Sequence, residues 1–541
     1  MLTSRCDNVR ISVVCHPILL AAYSVLALVA HNISDILLSD AIRSLIVAIV
    51  AAVLLHVLLW LIVKDWTNAA LISAVTIILF FSYGHVYRVV KTWIILGSSI
   101  GRHRFMIPVW GIILLFWIWW VSRKMRNSAH VTRFFNVAGV VLLVLPVLQI
   151  VAYQLDTYTS VTEFSTSINQ VNAKFKSSSG EKLPDIYYIV LDGYARQDVL
   201  EDLYGYDNSE FTDFLKDNGF YIAENSRSNY NKTLLSLASS LNMEYVNYLS
   251  EILGVKSRNN ELLSEMVKHS RVRNFVVEQG YQFVAFKSGF GKTTIQDADV
   301  YFSVSDERES FWSLNGFEEI LLESTAARII FDSPLSSAQF FQNLKVKGAY
   351  QAHRNRILYT LQQLSEIAEM EGDYFVFAHV IAPHPPFVFG AHGEEISPNY
   401  AFSLQDGSAF HGSPQAYIEG YRNQLTYINQ LVRQAIKDIL LRSDTSPVII
   451  IQSDHGPGAY LVWNSLKETN IKERLTILNA YYFPDGYGGL LYPSITPVNS
   501  FRLVFNRLFD TKFDLLEDQS YFTDHIRPFE FNLVTELVDA N

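Results

Sequence analysis

Asp454 and His455 are the side chains most clearly placed to do chemistry. They follow the β-branched run 448–451 and lie on a glycine-rich turn that ends at Gly458. In open α/β sheets, ligands bind at the carboxyl ends of strands, where a carboxylate oxygen and an imidazole nitrogen suit a divalent cation. The alternative is a turn that its own polar side chains cap. The pattern therefore predicts a metal site or a capped turn at the end of a buried strand.

Two further segments favour the metal interpretation. The strand-like run Ile186–Leu191 ends in Asp192, so a second carboxylate at a strand end could share the same ion. The polar loop 228–232 passes into an apolar-periodic helix close to Thr233. At a helix N-terminus the backbone N–H groups and the helix dipole stabilise an alkoxide and the phosphate that it attacks. The alternative is that Thr233 only caps this helix.

Histidines accompany a third strand-like run, Tyr374–Val380. His384 follows this run and stands among prolines, in a rigid loop that would hold its imidazole in one place. From there it could donate a hydrogen bond to an oxyanion or to a leaving group. His379 lies within the run itself and is predicted to be a packed core residue.

Short apolar runs alternate with helical stretches after Pro184, and this order places the polar residues at one edge of a sheet. Such alternation predicts a largely parallel sheet with helices on both faces. The predicted strands are 186–191, 281–286, 374–380 and 448–451, and the clearest helices are 209–218 and 417–441.

The front of the chain differs from the rest in charge and hydropathy. Residues 1–160 carry 12 Lys and Arg against 5 Asp and Glu, whereas the remainder carries 31 against 48, and seven of the nine Trp are in the front part. Positive charge and Trp collect at bilayer interfaces. Five apolar spans are each about long enough to cross a bilayer core of ~30 Å. They are 11–30, 44–63, 69–86, 105–121 and 134–153.

The loop charges predict the orientation of these spans. Seven Lys and Arg lie on the N-terminal side of the membrane against five on the other side, which favours a cytoplasmic N-terminus. After five crossings the acidic remainder lies outside the cytoplasm. We predict a transmembrane domain over residues 1–156, a Ser- and Thr-rich linker over 157–183 and a soluble α/β domain over 184–541. Three histidines lie in or near the spans and are expected to serve helix packing: His16, His56 and His85.

Composition excludes several classes of function. An acidic soluble region is a poor partner for nucleic acid. The only cysteines are Cys6 and Cys15, so the soluble region has neither a thiol nucleophile nor a cysteine-bound zinc.

The stretch 288–293 resembles a phosphate-binding loop, but Phe286 occupies the place of its first glycine, so no nucleotide site is expected there. Three more histidines are predicted to be exposed on the surface: His353, His392 and His411.

The motifs, taken in order behind five membrane spans, resemble the alkaline phosphatase and sulfatase superfamily. Asp at the end of the first strand, Lys-Thr at a helix start, His-Pro after a later strand and Ser-Asp-His-Gly all occur in the order of that superfamily. Within it the chain is most similar to lipoteichoic acid synthases and to related phosphoglycerol or phosphoethanolamine transferases. The resemblance covers Pro184 to about Asp510 and includes the membrane anchor. It implies an alkaline-phosphatase-like (sulfatase-like) α/β catalytic domain.

The resemblance also implies a nucleophile and a metal site. Thr233 matches the nucleophile of the family. The ligands of one divalent ion, usually manganese, magnesium or zinc, are matched by Asp192, Thr233, Asp454 and His455. The similar transferases commonly have Glu where this chain has the shorter Asp192.

Contacts to the substrate are expected from three more residues. His384 matches a histidine of the family that contacts the substrate. As neighbours of the nucleophile, Lys232 and Asn231 are predicted to contact phosphate as well.

The expected activity is transfer of a phospho-alcohol group from a membrane lipid to a glycan or lipid of the cell envelope. The protein is expected in the inner or plasma membrane as a multi-pass protein with an extracytoplasmic catalytic domain. A formylglycine sulfatase is disfavoured, because the loop reads Asn-Lys-Thr-Leu-Leu-Ser and lacks the Cys/Ser-x-Pro-x-Arg pattern. The alternatives are a phosphoric or sulfuric ester hydrolase of the same superfamily and an inactive scaffold in polysaccharide assembly.

Overall fold

Apolar helices form the N-terminal part of the chain in the computed structural model. They are α1 (His16–His31), α2 (Leu38–Val63), α3 (Trp66–Val90), α4 (His103–Arg123) and α5 (Ser128–Asn169). A short antiparallel pair, β1 (Ile94–Ile95) and β2 (Ser98–Ser99), lies between α3 and α4. The structure describes residues 13–33, 36, 38–91, 93–95, 98–99, 102–125, 128–169, 183–304, 315–332, 347–396, 402–486 and 489–539.

Four of the described helices, α2 to α5, are long and apolar enough to cross a membrane, and α1 is a shorter apolar helix. Large apolar side chains such as Leu54, Ile62 and Leu115 are mostly exposed on their surfaces, as expected of helices that face lipid. The predicted apolar N-terminal helices are therefore confirmed. Residues 157–169 of the predicted linker are helical and continue α5.

After α5 the chain alternates strands and helices. The strands are β3 (Ile186–Leu191), β4 (Tyr221–Ile222), β5 (Gln282–Phe286), β6 (Val300–Phe302), β7 (Tyr374–Val380), β8 (Val448–Gln452), β9 (Asn479–Tyr482), β10 (Tyr521–Phe522) and β11 (Asn532–Leu533). The helices are α6 (Gln197–Asp202), α7 (Ser209–Asp217), α8 (Thr233–Asn242), α9 (Leu249–Leu253), α10 (Glu261–Lys268), α11 (Arg271–Glu278), α12 (Gly316–Ser324), α13 (Arg328–Phe331), α14 (Lys347–Ile367), α15 (Pro414–Arg442), α16 (Ile471–Leu475), α17 (Pro497–Phe509) and α18 (Thr535–Asp539).

The chain divides into two compact units. The membrane unit comprises Met1–Asp156 and Ser313–Lys345, and the catalytic unit comprises Thr157–Trp312 and Val346–Asn541. Residues 313–345 therefore belong to the membrane unit, although the sequence places them within the predicted soluble domain. Within the membrane unit, α12 packs on α2 and α3.

A seven-stranded sheet organises the catalytic unit, in the order β4-β9-β8-β3-β7-β5-β6. The strands from β8 to β6 are parallel, whereas β9 and β4 are antiparallel to their neighbours. This largely parallel sheet confirms the predicted fold class.

Apolar side chains cover both faces of the sheet, so every residue of the central strand β3 is buried. Tyr187 and Ile189 belong to a core that includes residues of α14 and α15, and Tyr188 and Val190 belong to a core that includes residues of α8 and α17. The long helix α15 begins at a proline, and the side chain of Ser413 before it accepts from a backbone N–H group of the first turn, which is a typical helix start.

Candidate functional site

Strand register brings the two predicted carboxylates together. Strands β3 and β8 are parallel, with Val190 opposite Gln452, so Asp192 and Asp454 follow at the same edge of the sheet. Gly193 turns the chain after Asp192 with a φ of 73°, and its N–H donates to Oδ1 of Asp454 over 3.2 Å. A left-handed φ favours glycine at this turn. The backbone that follows one carboxylate therefore positions the other.

Asp192, Asp454 and His455 form a buried cluster that suits a metal ion. Each offers one ligand atom, and these atoms lie within 4.8 Å of one another. Oδ1 of Asp192 and Oδ2 of Asp454 are buried and have no hydrogen-bond partner among the described residues. Buried carboxylate oxygens without partners are costly unless a cation or water satisfies them. The residues present thus fit a divalent cation.

The His455 imidazole presents a lone pair to this cluster. Nδ1 lies 2.9 Å from the carbonyl oxygen of Gly456, which can only accept, so Nδ1 carries the proton. Nε2 lies 3.3 Å from Oδ2 of Asp454. Burial lowers the pKa of His455, and the nearby charge of Arg474 lowers it further. A neutral imidazole whose other nitrogen donates to a carbonyl is what metal ligation requires.

Thr233 completes the group as the first residue of α8. Its Oγ1 lies 3.1 Å from Nε2 of His455. Lys232, and not Thr233, occupies the N-cap position of this helix, where no described side chain makes a capping hydrogen bond. The Thr233 hydroxyl therefore faces the cluster at the positive end of the α8 dipole, and it does not serve as a simple cap.

His379 also lies in this site, although its position within a strand predicted only a core residue. It is buried, and its Nε2 lies 3.3 Å from Oδ2 of Asp192. Because a carboxylate can only accept, Nε2–H donates to Asp192, and Nδ1 accepts from the Thr293 hydroxyl at 2.9 Å. Thr293 belongs to the stretch that resembles a phosphate-binding loop. The one available sequence signal is an ionisable residue in an otherwise apolar strand.

The histidines also set the charge of Asp192. Burial would raise the pKa of this carboxyl, but the electrostatic effect of His384 and the hydrogen bond from His379 hold the pKa well below its usual value. Asp192 is therefore ionised, as a metal ligand must be.

His384 lies beside the cluster, on the loop after β7. Its backbone N–H donates to the carbonyl oxygen of Asp192 over 3.0 Å, and the Gln424 side chain donates to its carbonyl over 3.1 Å. The ring centroid is 6.0 Å from that of His455, and Nε2 is 3.7 Å from Oδ2 of Asp406. The imidazole is thus held at the edge of the cluster by backbone and side-chain contacts.

A buried ion pair between Arg474 and Asp406 ties the site together, and sequence reasoning missed it. Nη1 of Arg474 lies 2.6 Å from Oδ2 of Asp406 and also donates to the Gly456 carbonyl over 3.0 Å. Nε of Arg474 donates to the Asn231 carbonyl over 2.9 Å. One guanidinium group therefore fixes both the turn after β8 and the loop before α8. The short helix α16, which carries Arg474, gave no local signal of this role.

Lys232 and Asn231, the two residues before Thr233, have different surroundings. Nζ of Lys232 donates to the Asp524 carbonyl over 2.6 Å, and burial together with the charge of Arg474 lowers the pKa of this amine to about 7. The sequence predicts that Asn231 contacts phosphate. In the structure its buried side-chain amide instead donates to the Thr523 carbonyl over 3.0 Å and accepts from the Thr523 N–H over 2.9 Å. Asn231 therefore stabilises the loop before α8.

Of the histidines predicted to be exposed, His392 and His411 are exposed, but His353 is 1% exposed, so that prediction was wrong. His353 lies on α14, which packs on α15, and its ring is 5.4 Å from that of Phe402. The amphipathic pattern of α14 places this residue on the side of the helix that faces the core, and so decides its burial.

Two solved structures are similar to this chain over much of its length. The zinc complex of the C-terminal periplasmic domain of EptC from Escherichia coli is similar over 67% of this chain and 95% of its own, with 13% identity and a TM-score of 0.42. The integral membrane lipooligosaccharide phosphoethanolamine transferase A from Neisseria meningitidis is similar over 91% of this chain and 94% of its own, with 12% identity and a TM-score of 0.37. No curated protein matches the chain.

The family assignment rests on a model that covers most of the catalytic region. The sulfatase family model matches residues 184–501, which is more than half of the chain. The matched range includes the two carboxylates, the three site histidines and the threonine at the start of α8, so the resemblance seen in the motifs is confirmed at the level of the superfamily. This chain belongs to the sulfatase family.

Proposed function

We propose that this membrane enzyme transfers a phospho-alcohol group, of the phosphoglycerol or phosphoethanolamine type, from a lipid donor to a glycan or lipid of the cell envelope. The observation that carries the proposal is the convergence of the Thr233 hydroxyl with three buried metal-ligand side chains. A hydroxyl at a helix N-terminus beside such ligands suits attack on a phosphate.

Asp192, Thr233, Asp454 and His455 would hold one divalent cation in this proposal. The cation would supply positive charge that makes the Thr233 hydroxyl easier to deprotonate and that neutralises the phosphate of the donor. The two carboxylate oxygens without partners among the described residues are the features of the site that favour a cation over a purely structural cluster.

The reaction follows in two displacements. Oγ1 of Thr233 forms a bond to the donor phosphorus, and the bond from phosphorus to the lipid alcohol breaks, so the threonine proton ends on the departing alcohol. In the second displacement an acceptor hydroxyl forms the bond to phosphorus, the bond to Thr233 breaks, and the acceptor proton returns to the threonine. His384 and Lys232 lie beside the cluster or Thr233 and would donate hydrogen bonds to the phosphoryl oxygens.

The catalytic unit is proposed to work outside the cytoplasm. The loop charges and the five apolar helices support this orientation. A reporter enzyme that is active only outside the cytoplasm, fused after Asn541, should therefore be active in whole cells. Activity of a reporter that works only in the cytoplasm, fused at the same position, would contradict the orientation and with it the choice of lipid donor.

Thr233→Ala tests the nucleophile, with Ser413→Ala as its matched control. Lys232 and not Thr233 occupies the N-cap of α8, so loss of the threonine hydroxyl should abolish turnover and leave the melting temperature nearly unchanged. The side chain of Ser413 does cap α15, so Ser413→Ala should cost about 1 kcal/mol of stability and leave turnover intact.

Turnover is measured on the full chain in vesicles that contain a phosphatidylglycerol or phosphatidylethanolamine donor. Without an acceptor, mass spectrometry should find a covalent adduct on the peptide that contains Thr233. Full activity of Thr233→Ala would refute the mechanism.

Ester hydrolysis is the second candidate, because the matched family is that of the sulfatases. Hydrolysis would use the same residues with water as the acceptor. Release of the free phospho-alcohol at the full rate without any acceptor would favour it over transfer. An inactive scaffold is disfavoured, because all four predicted ligands are present and converge.

A further inference from the structure

Residues 315–332 carry the inference, and we name them the docking segment. The segment contains α12 and α13 and lies in the chain between β6 and α14, both of which belong to the catalytic unit. It is itself part of the membrane unit. As a result the chain passes between the two units after Asp156, after Trp312 and after Lys345.

A charged contact attaches the start of the docking segment to α2. Glu318 is 6% exposed and forms an ion pair with Arg43. The same carboxylate caps α12 by accepting from the backbone N–H of Asn315 over 3.0 Å, and the Asn315 amide donates to the Asp40 carbonyl over 2.9 Å. A helix cap and an ion pair to another helix therefore share one buried carboxylate, which makes the contact specific in register.

A close backbone contact attaches the middle of the docking segment to α3. A Cβ atom on Gly84 would lie 2.2 Å from the carbonyl oxygen of Glu323, so only glycine permits this approach. The Ala326 N–H donates to the Phe80 carbonyl over 2.8 Å. Apolar packing adds to these bonds, because Phe317 of α12 is buried in one cluster with residues of α1 and α2.

A third contact attaches the end of the docking segment to α3 and α4. His103 is at the start of α4. Its Nε2 lies 3.0 Å from Oδ2 of Asp332, and its Nδ1 lies 2.8 Å from the Tyr83 hydroxyl. Arg328 donates to the same oxygen of Asp332 over 3.0 Å, and its guanidinium lies 4.7 Å from the centre of the Tyr87 ring. Such a cation–π contact adds to the ion pair.

These contacts all lie at one end of the membrane helices. Successive crossings alternate in direction, so the start of α2, the end of α3 and the start of α4 face the side on which α5 ends. The chain enters the catalytic unit from that end of α5. A segment that only filled space between helices would not need a buried ion pair, a glycine contact and a histidine–carboxylate pair within so short a stretch.

We propose that the docking segment is a tether whose binding partner is the surface formed by the start of α2, the end of α3 and the start of α4. The chain then joins the catalytic unit to the membrane helices before and after the docking segment as well as after α5, and turnover of a donor held in the bilayer would depend on these attachments. This last consequence rests on the proposed function. The docking segment contains none of the residues of the candidate site, so loosening it should impair turnover of a membrane-bound donor and spare the chemistry itself.

Gly84→Ala tests the tether, with Gly111→Ala as its matched control. Both glycines lie within membrane helices, but a Cβ on Gly111 would meet nothing within 4 Å. Hydrogen exchange of the full chain in lipid nanodiscs should show about tenfold or greater acceleration across residues 315–332 in Gly84→Ala, because the backbone contact is displaced. Gly111→Ala should exchange as the wild type does. Equal exchange in the two variants would overturn the proposal.

A charge exchange between Arg43 and Glu318 tests the same tether by a second route. Arg43→Glu and Glu318→Arg should each accelerate exchange in the docking segment. The double variant should restore part of the protection, because the ion pair is re-formed in reverse, although an arginine at position 318 cannot accept from the Asn315 N–H. Acceleration in the double variant as large as in the single ones would count against a specific contact.

Two activity assays separate the tether from the proposed function. Gly84→Ala should lose turnover of a phosphatidylglycerol donor in vesicles and keep the wild-type rate on the soluble diester bis(4-nitrophenyl) phosphate. Equal loss on both substrates, or no loss on either, would overturn the role of the tether in catalysis. If the wild type turns over neither phosphatidylglycerol nor phosphatidylethanolamine while the exchange pattern holds, the donor assignment fails and the docking itself is upheld.

Discussion

His379 offers a direct test of how the candidate metal site is held. Its Nε2–H donates the closest side-chain hydrogen bond to the Asp192 carboxylate within the described part of the chain, and both groups are buried. In His379→Ala the Oδ2 atom of Asp192 would lose this donor, and the carboxylate would be free to rotate. The change leaves the proposed ligands Asp192, Thr233, Asp454 and His455 in place, so it tests orientation rather than ligation.

The expected loss of metal affinity follows from the position of this hydrogen bond beside a proposed ligand. Removing a partner that orients a metal ligand typically weakens metal binding by roughly 10- to 100-fold, which is ~1.4–2.8 kcal/mol. The 3.3 Å separation is that of a modest hydrogen bond, so we expect the lower half of this range for the bond alone. Thr293→Val should lose less metal affinity than His379→Ala, because Thr293 contacts His379 and acts on the Asp192 carboxylate only through that histidine.

The assay is calorimetric titration of the full chain in detergent with Zn²⁺ or Mn²⁺ after removal of bound metal with a chelator. Asp454→Asn serves as the positive control and should bind far more weakly than His379→Ala, since it removes a ligand charge. His353→Ala is the matched control, because that histidine is equally buried and its ring donates no hydrogen bond to a residue of the cluster.

Wild-type metal affinity in His379→Ala would refute the reasoning, because Asp192 would then be positioned by other contacts. Equal weakening in His379→Ala and His353→Ala would also refute it, since loss of packing alone would then account for the effect.

Two further predictions concern the support of the site. Arg474→Met should destabilise the catalytic unit by roughly 3–5 kcal/mol, because Asp406 would be left charged and buried, and addition of Asp406→Asn should recover part of the loss in thermal denaturation. Burial raises the pKa of Glu473 from 4.5 to about 7, so the stability that its protonated form contributes is present below pH 4.5 and is lost as pH rises to about 7. The stability of the wild type relative to Glu473→Gln should therefore fall over this window, by about 3 kcal/mol at most, and a difference that does not vary with pH would contradict the raised pKa.

The sequence by itself determined the elements that carry the chemistry. Asp192 and the Asp454-His455 pair follow short apolar runs, and Thr233 opens an apolar-periodic helix, so local pattern places each of them at the end of an element. Parallel pairing then brings strand ends to one edge of a sheet without any further information. The apolar N-terminal helices are equally local, since the thickness of the bilayer sets their length and composition.

Only the tertiary structure decided which residues support that chemistry. His379 reaches Asp192 because β7 pairs beside β3, although the two residues are 187 positions apart in the chain. Arg474 joins two loops through carbonyl groups, which any residue can offer and no motif records. Glu318 meets Arg43 across 275 positions, and nothing in the residues around either charge marks the other as its partner. These contacts depend on the order of the strands and on the path of the chain between elements, and the local patterns of a sequence do not contain either.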